Sequence, residues 1–248
     1  MKSKSARIRL DLLLVERGLA ESRQKAQAMV LAGEVAVNGK RVEKPGTSVD
    51  SQALVEVNSR LQKYASRGGL KLEGALQDFT ISTQGKVCLD IGSSTGGFTD
   101  CLLQHAAARV YAVDVNKSQL AWKLQQDSRV IAIEKNAREL RVSDVPEAVD
   151  LVVADVSFIS VTKVLPPAVL AAKPGSDFLI LIKPQFELRR EDVGPGGIVR
   201  DTAKHNSAIE NVSSAAQKLG LFAIGVKPSR LPGAEGNQEY FLHARKGA

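Results

Sequence analysis

The chain has 248 residues, 44% of them hydrophobic, with a formal net charge of +7 and only two cysteines, enough apolar material for one large domain with a small one beside it. No apolar run approaches the roughly 18 residues that a membrane span needs, and the start, MKSKSARIRL, lacks the apolar centre of an export signal. Cys88 and Cys101 lack metal-ligand spacing and His105, His205 and His243 are scattered, so the sequence predicts no metal site and a cytoplasmic protein with reduced core thiols.

The charge is uneven. Residues 1–63 carry twelve Lys and Arg against seven Asp and Glu, whereas residues 64–248 carry twenty-two against twenty. A basic first quarter suits a polyanionic partner, and a solvated basic face accounts for the charge alone equally well. The pattern there is more specific. Leu10, Leu13 and Leu14 give one face of a helix over about 10–17 closed by Gly18, and Ser22 caps a second helix through Leu31, closed by Gly33. Val35 and Val37 alternate into the hairpin signal Asn38-Gly39, Val42 resumes the strand, and Leu54, Val55 and Val57 offer another. From Arg7 to Val57 this closely resembles the alpha-L RNA-binding motif first known from a small-subunit ribosomal protein, matching at Arg9, Leu10, Asp11, Ser22, Arg23, Ala26, Gly33, Val35, Val37, Asn38, Gly39 and Pro45. The resemblance implies RNA phosphate contacts at Arg9, Arg23, Lys25, Lys40 and Arg41, which position RNA without reading its sequence.

Residues 61–70 read as a joint, so the domains are placed at 1–60 and 71–248. Arg67 in the joint is a further RNA candidate. Lys71 opens the helical pattern LKLEGALQDF, and its default reading is a solvated lysine.

The centre of the chain is Val87–Asp100, VCLDIGSSTGGFTD: a buried strand, a glycine turn and a helix, where backbone N–H groups can approach a ligand. The NAD fingerprint is broken because Ser94 stands at its middle glycine. What remains, DxGxxxG with Asp90, Gly92 and Gly96, resembles motif I of the S-adenosylmethionine (SAM)-dependent methyltransferases, with Ser93, Gly97 and Phe98 in the same turn. A carboxylate suits a ligand carrying an amino group and a sulfonium. The next strand ends at Asp114, placed to accept from ribose hydroxyls, and Asn136 follows the third strand, near an adenine edge. An ordinary βα turn with solvated carboxylates is the bland alternative.

From Lys86 onward short apolar strands alternate with helical stretches. Strands are predicted at 87–91, 110–115, 130–134, 151–154, 178–182, 222–227 and 240–244, and helices near 98–105, 117–125, 161–172 and 202–219. Seven strands fit the Rossmann-like SAM-dependent methyltransferase fold, an α/β fold whose last strand returns antiparallel; here a small N-terminal α+β RNA-binding domain precedes it. Asp155 closes the fourth strand, Lys183 closes the fifth directly after five apolar residues, and Glu239 opens the seventh. All three reach the ligand-binding edge of such a sheet. Two strand-end ion pairs are the bland alternative. The polar loop 187–200 reads either as a mobile lid or RNA clamp, with Arg189 and Arg190 toward phosphates, or as a surface connection.

Together SRGGLKL, LDIGSSTGGFTD, ADVSFIS, IKPQFE and NQEYF resemble the TlyA family of bacterial ribosomal RNA methyltransferases, often named haemolysins, with a catalytic domain similar to FtsJ-type RNA 2′-O-methyltransferases. The resemblance implies a K-D-K-E tetrad at Lys71, Asp155, Lys183 and Glu239, with Asp155 also near SAM. It implies ribosomal RNA or ribosomal subunits as partner, a cytidine 2′-hydroxyl as acceptor, and a monomer or weak dimer. The joint carries Tyr64-Ala65 where mycobacterial members have an aromatic followed by valine. Two other classes are a non-catalytic ribosome-assembly protein that kept the fold, separated by SAM binding without transfer, and a membrane-lytic haemolysin, for which the sequence shows no span, no lipidation signal and no strongly amphipathic basic helix.

Overall fold

The computed structural model describes residues 7–20, 22–57, 63–233 and 236–247. The chain forms two compact units, Met1–Arg67 and Gly68–Ala248; the boundary expected at residue 60 lies outside the described residues.

In the first unit β1 (Arg7–Arg9) runs directly into α1 (Leu10–Glu16), which buries Leu10, Leu13 and Leu14. Each such leucine contributes roughly 1.5–3 kcal/mol when removed from water. Ser22 caps α2 (Arg23–Leu31) by accepting the Lys25 N–H at 3.2 Å. β2 (Val35–Val37) and β3 (Lys40–Arg41) pair across Asn38-Gly39, whose φ values of +51° and +74° fit the tight hairpin turn that this dipeptide favours. β4 (Ser48–Asp50) pairs with β1 and β5 (Val55–Val57) with β2, both antiparallel, and Val30, Val35 and Val49 close the core over the α1 leucines.

The second unit begins with α3 (Gly68–Asp78), followed by β6 (Val87–Ile91), α4 (Gly97–Gln104), β7 (Arg109–Asp114), α5 (Trp122–Gln125), β8 (Val130–Glu134), β9 (Val149–Ala154), α6 (Leu165–Ala171), β10 (Ala172–Ile182), α7 (Pro184–Glu187), α8 (Thr202–Lys218), β11 (Leu221–Pro228) and β12 (Tyr240–Lys246). The seven strands make one sheet in the order β11-β12-β10-β9-β6-β7-β8. β12 is antiparallel to both neighbours and the remaining pairs are parallel. The predicted fold class is therefore the observed one. Side-chain alternation covers both faces: Leu89, Ile91 and Leu242 pack with Leu165 and Ala168 of α6 and Val212 of α8, while Phe241, one residue away from Leu242, stacks on Phe98 of α4.

Two helices differ from expectation. The helix expected over 117–125 is a 3-10 turn (Lys117–Gln119) and one short turn of α5, because Ala121 takes extended backbone (φ −56°, ψ 138°) and gives its N–H to Thr95 O at 3.1 Å. The helix expected over 161–172 is a 3-10 turn and then α6, and Ala172 already belongs to β10.

Candidate active site

Parallel strands leave their carboxyl ends on one edge, and β12, being antiparallel, brings its start to the same edge. Ile182 faces Tyr240, so the next residue on one strand, Lys183, and the preceding one on the other, Glu239, stand side by side. In sheet order, this edge carries Glu239 beside β12, Lys183 after β10, Asp155 after β9, Asp90 and Gly92 at β6, Asp114 at β7, and Asn136 after β8. With neighbouring strands about 4.8 Å apart, residues far apart in sequence become close neighbours.

Two lysine–carboxylate pairs stand here. Lys71 Nζ on α3 donates to Glu239 Oε2 at 2.5 Å, and both side chains are nearly inaccessible, at 8% and 2%. The solvated reading of Lys71 is thus corrected: α3 turns it inward, onto a partner 168 residues away. Gly233 lies so close to Glu239 Oε1 that a Cβ would approach it to 2.4 Å. Lys183 Nζ lies 2.5 Å from Asp155 Oδ1, a contact too poorly directed to count as a hydrogen bond, and gives its directed bond to Ser157 Oγ at 2.9 Å. Buried charges of this kind persist only when paired, since each would otherwise cost several kcal/mol.

Beside them opens a cavity of about 370 Å³ lined by Gly92, Ser94, Asp114, Lys135, Asn136 and the segment Asp155–Ile159, among others. Asp90 is fully buried; its Oδ2 accepts from Thr99 Oγ1 at 2.6 Å, and its Oδ1 has no hydrogen-bond partner among the described residues. Burial lifts this carboxyl to about 7; the Thr99 hydrogen bond opposes the shift, and the nearby carboxylates of Asp155 and Asp114 add to it. Gly92 (φ +83°) passes so close to the Asp155 carbonyl that a Cβ would sit 2.2 Å from its oxygen, so only glycine serves there. Gly96 (φ +92°) is the N-cap of α4 and lies under Leu124, where a Cβ would be 2.2 Å from Cδ1. Asp114 Oδ2 accepts the Ser94 N–H at 2.9 Å, which shapes the turn, and Asn136 Oδ1 accepts the Arg138 N–H at 3.2 Å.

Some expected cofactor residues sit elsewhere. Ser93 is buried with its N–H on Val113 O, Gly97 is the first residue of α4, and Phe98 is a core residue against Phe241; none of these lines the cavity, nor do Asp90, which is fully buried, and Gly96. Ser94, held at φ +48°, takes the place expected of Ser93. Sequence reasoning also missed Ser157, Lys135 and Phe158. Phe158 is 89% exposed at φ +67°, and its ring lies 5.5 Å from that of Phe186. An aromatic residue in left-handed backbone, projecting beside Asp155, is a strained placement that nothing in the local sequence announces.

In the first unit Asp11, fully buried, gathers three donors: Arg9 (Nε 3.0 Å, Nη2 2.8 Å), Arg23 (Nε 3.1 Å) and Gln27 (Nε2 2.9 Å). The Arg9 hydrogen bond, against the opposing effect of burial, holds the Asp11 carboxyl far below the usual carboxylate range. Arg9 and Arg23 remain about half exposed, so they form one fixed basic patch. Arg41 lies over Gly33, where a Cβ would overlap its guanidinium, and donates to Ala32 O at 3.3 Å. Lys25 and Lys40 are exposed. Arg67 is largely covered and paired with Glu43 at 2.6 Å, which ties up part of its guanidinium. In the second unit Arg189, 3.7 Å from Glu191, and Arg190 are exposed on a loop pinned at its far end: Asn237 accepts from Val199 N and donates to Gly197 O, both at 2.8 Å.

Comparison with known proteins accords with both units. Residues 64–246 match the FtsJ-like methyltransferase model and residues 8–55 the S4 domain model. The chain is 48% identical over 241 residues to the 16S/23S rRNA (cytidine-2′-O)-methyltransferase TlyA of Mycobacterium tuberculosis, covering 96% of this chain and 90% of that protein. A hemolysin-named protein from Streptococcus thermophilus, of known structure, superposes with a TM-score of 0.76 at 40% identity, covering 97% of this chain and 89% of that one. An S-adenosylmethionine-dependent methyltransferase from Listeria monocytogenes shares the fold at 15% identity (TM-score 0.53, 72% of this chain and 99% of that one). The chain therefore belongs to the TlyA family, an FtsJ-like methyltransferase domain preceded by an S4 domain.

Proposed function

We propose that the chain transfers the methyl group of SAM to the ribose 2′-hydroxyl of a cytidine in ribosomal RNA, acting in the cytoplasm. The observation that carries this reading is the side-by-side placement of Lys71–Glu239 and Lys183–Asp155 next to a cavity lined by Asp155, Gly92, Asp114 and Asn136, with the half-satisfied Asp90 buried two residues before Gly92.

The residues present fit SAM. The buried, unpartnered Asp90 Oδ1 is an acceptor for an ammonium or a water bound to it, and within the cavity Gly92 opens the backbone while Asp114 and Asn136 offer polar groups. When bound, SAM supplies a methyl group made electrophilic by its sulfonium. Lys183, fixed by Asp155 and Ser157, orients the incoming hydroxyl and assists loss of its proton, while Lys71, fixed by Glu239, offsets the negative charge that develops on oxygen. Positioning does much of the rest, since alignment of the reacting atoms can supply several kcal/mol. The exposed Phe158 ring offers a stacking surface for the target base, and a stacked base is worth about 1–3 kcal/mol. The Arg9–Arg23 patch, with Lys25 and Lys40, supplies phosphate contacts.

The test is transfer of labelled methyl from SAM to ribosomal RNA and subunits from a strain lacking this gene, followed by mapping of alkali-resistant positions. A discrete labelled cytidine is expected. SAM binding without transfer to any ribosomal species would overturn the reading in favour of a non-catalytic RNA-binding protein.

A further inference from the structure

Three residues of the segment after β10 reach the segment after β9. Lys183 bonds Ser157 and pairs with Asp155; Phe186 packs on Phe158; and Glu187, the last residue of α7, reaches back to accept Ser160 Oγ at Oε2 (2.5 Å) and the Val161 N–H at Oε1 (2.8 Å). The last is a two-point bond in which one carboxyl group ties a side-chain hydroxyl and a backbone N–H of the same segment. Ser160 also bonds Thr162 Oγ1 at 2.7 Å and caps the 3-10 turn Val161–Lys163, whose Val161 is buried in the core. One end of the 155–161 segment is thus fixed by β9, and the other by Glu187.

Between those fixed ends lie Ser157, which takes the Lys183 bond, and Phe158, which is held in left-handed backbone. A strained residue persists only where its surroundings over-determine it. Glu187 bonds Ser160 and Val161 rather than Ser157 or Phe158, so its influence on those two runs through the loop backbone. We propose that Glu187 is a positioning residue for methyl transfer, a latch that holds Ser157 and Phe158 in register with Lys183. This rests on the proposed transfer reaction. It also makes the start of the 187–200 segment a fixed anchor, so any closing movement has to lie beyond it.

The test is a set of variants in the full chain, assayed with SAM and ribosomal RNA well below the melting temperature, together with hydrogen exchange at the Val161 amide. Glu187→Ala is expected to lower kcat/KM by about tenfold to a hundredfold, since small misplacements of reacting groups carry losses of that size, and to speed Val161 exchange. Glu187→Gln keeps an acceptor for Val161 N–H and is expected to recover most of the activity; Ser160→Ala, which breaks one of the two bonds, should fall between. Phe158→Ala combined with Glu187→Ala should cost less than the product of the two single losses, because both act through one loop. Losses that multiply, or a folded Glu187→Ala enzyme within twofold of wild type, would overturn the latch. If Glu187→Ala does not fold, Ser160→Ala and Glu187→Gln decide alone: wild-type kcat/KM in Ser160→Ala with accelerated Val161 exchange would overturn it. Wild-type activity is the control that separates this from failure of the transfer reading, since without wild-type transfer it is the reaction, not the latch, that is wrong.

Discussion

The two edges of the seven-stranded sheet are built from the same residue types and differ in how completely those residues are satisfied. At the amino-terminal edge Asp177 Oδ1 takes His243 Nε2 and Arg245 Nη2, each at 3.0 Å, and Oδ2 takes Lys86 Nζ at 3.2 Å; Asp150 next to it takes Lys173 Nζ at 2.6 Å and the Val87 N–H at 2.9 Å. Burial pushes both carboxyls up, yet these partners together bring them below the ordinary range. At the carboxyl-terminal edge Asp90 is left with an unbonded oxygen and lifted to about 7, and an aromatic ring stands in solvent. Carboxylates satisfied at both oxygens mark an edge that stabilises the fold, even though Ser176 Oγ beside Asp177 has no partner among the described residues. Incomplete satisfaction, beside a cavity, marks an edge waiting for a ligand.

The sharpest way to break that contrast is to exchange the expected effects of one residue from each edge. Lys183→Ala should reduce kcat by about a thousandfold or more, in keeping with loss of an acid–base or charge-stabilising group, with SAM affinity nearly unchanged by calorimetry. Asp177→Ala, which leaves the His243, Arg245 and Lys86 donors without their acceptor, should lower stability by about 3–5 kcal/mol in urea unfolding while kcat/KM holds at a temperature where the variant is folded. A Lys183→Ala enzyme with near wild-type transfer, or an Asp177→Ala enzyme that is stable but inactive, would reverse the assignment of the edges.

Asp90 sharpens the same comparison through pH. Its folded value of about 7 lies above the roughly 3.9 of an exposed aspartate. For a raised pKa the stabilising contribution is fully present below the unfolded value and lost as pH rises through the folded one, so the ligand-free protein gives up on the order of 4 kcal/mol at this site between pH 4 and pH 7. Asp90→Asn, which imitates the protonated form, should therefore gain in melting temperature over wild type as pH rises from 5 to 8. A cationic ligand favours the ionised carboxyl. SAM affinity of the wild type should climb up to about tenfold per pH unit below 7 and level off above it, and the slope should vanish in Asp90→Asn. A flat wild-type profile from pH 5.5 to 8 would mean that this carboxyl does not ionise on binding.

Much of this edge was legible in the sequence, because it is written in strand ends. Asp90, Asp114, Asp155 and Lys183 each follow a short apolar run, and a parallel sheet has only one edge to which such residues can go. Lys71 was legible only through family resemblance, since its partner Glu239 is distant in sequence and nothing local shows that α3 turns it inward. The conformations of Ser94 and Phe158, both at positive φ, are imposed by tertiary contacts that no propensity encodes. The break at Ala121 has the same origin: its N–H goes to Thr95, while Leu120 and Leu124 both close over Gly96, an arrangement in which a continuous helix loses to tertiary packing.

The first unit offers the smallest expected effect and the one whose sign is most informative. Asp11→Asn removes a buried negative charge from beneath Arg9 and Arg23 and makes the unit more basic by one. If long-range charge governs RNA binding, the variant binds more tightly. If the bidentate grip of Asp11 on Arg9 and its bond to Arg23 hold the two guanidinium groups in place, the variant binds more weakly despite its extra charge. We expect the second outcome, a loss of about five- to tenfold in affinity for a ribosomal RNA fragment at 150 mM salt, with a shallower dependence on salt as one phosphate contact is released. Asp11 also stabilises the folded unit at neutral pH: its carboxyl is held below its unfolded value, so its contribution is present above about pH 4 and fades in acid. Binding should therefore be read where circular dichroism shows the variant folded, with Arg9→Lys as a second variant that keeps the charge and loses the two-pronged bond. Tighter binding by both variants would show that Asp11 restrains the patch by neutralising it, and that the arginines need no fixed geometry to hold RNA.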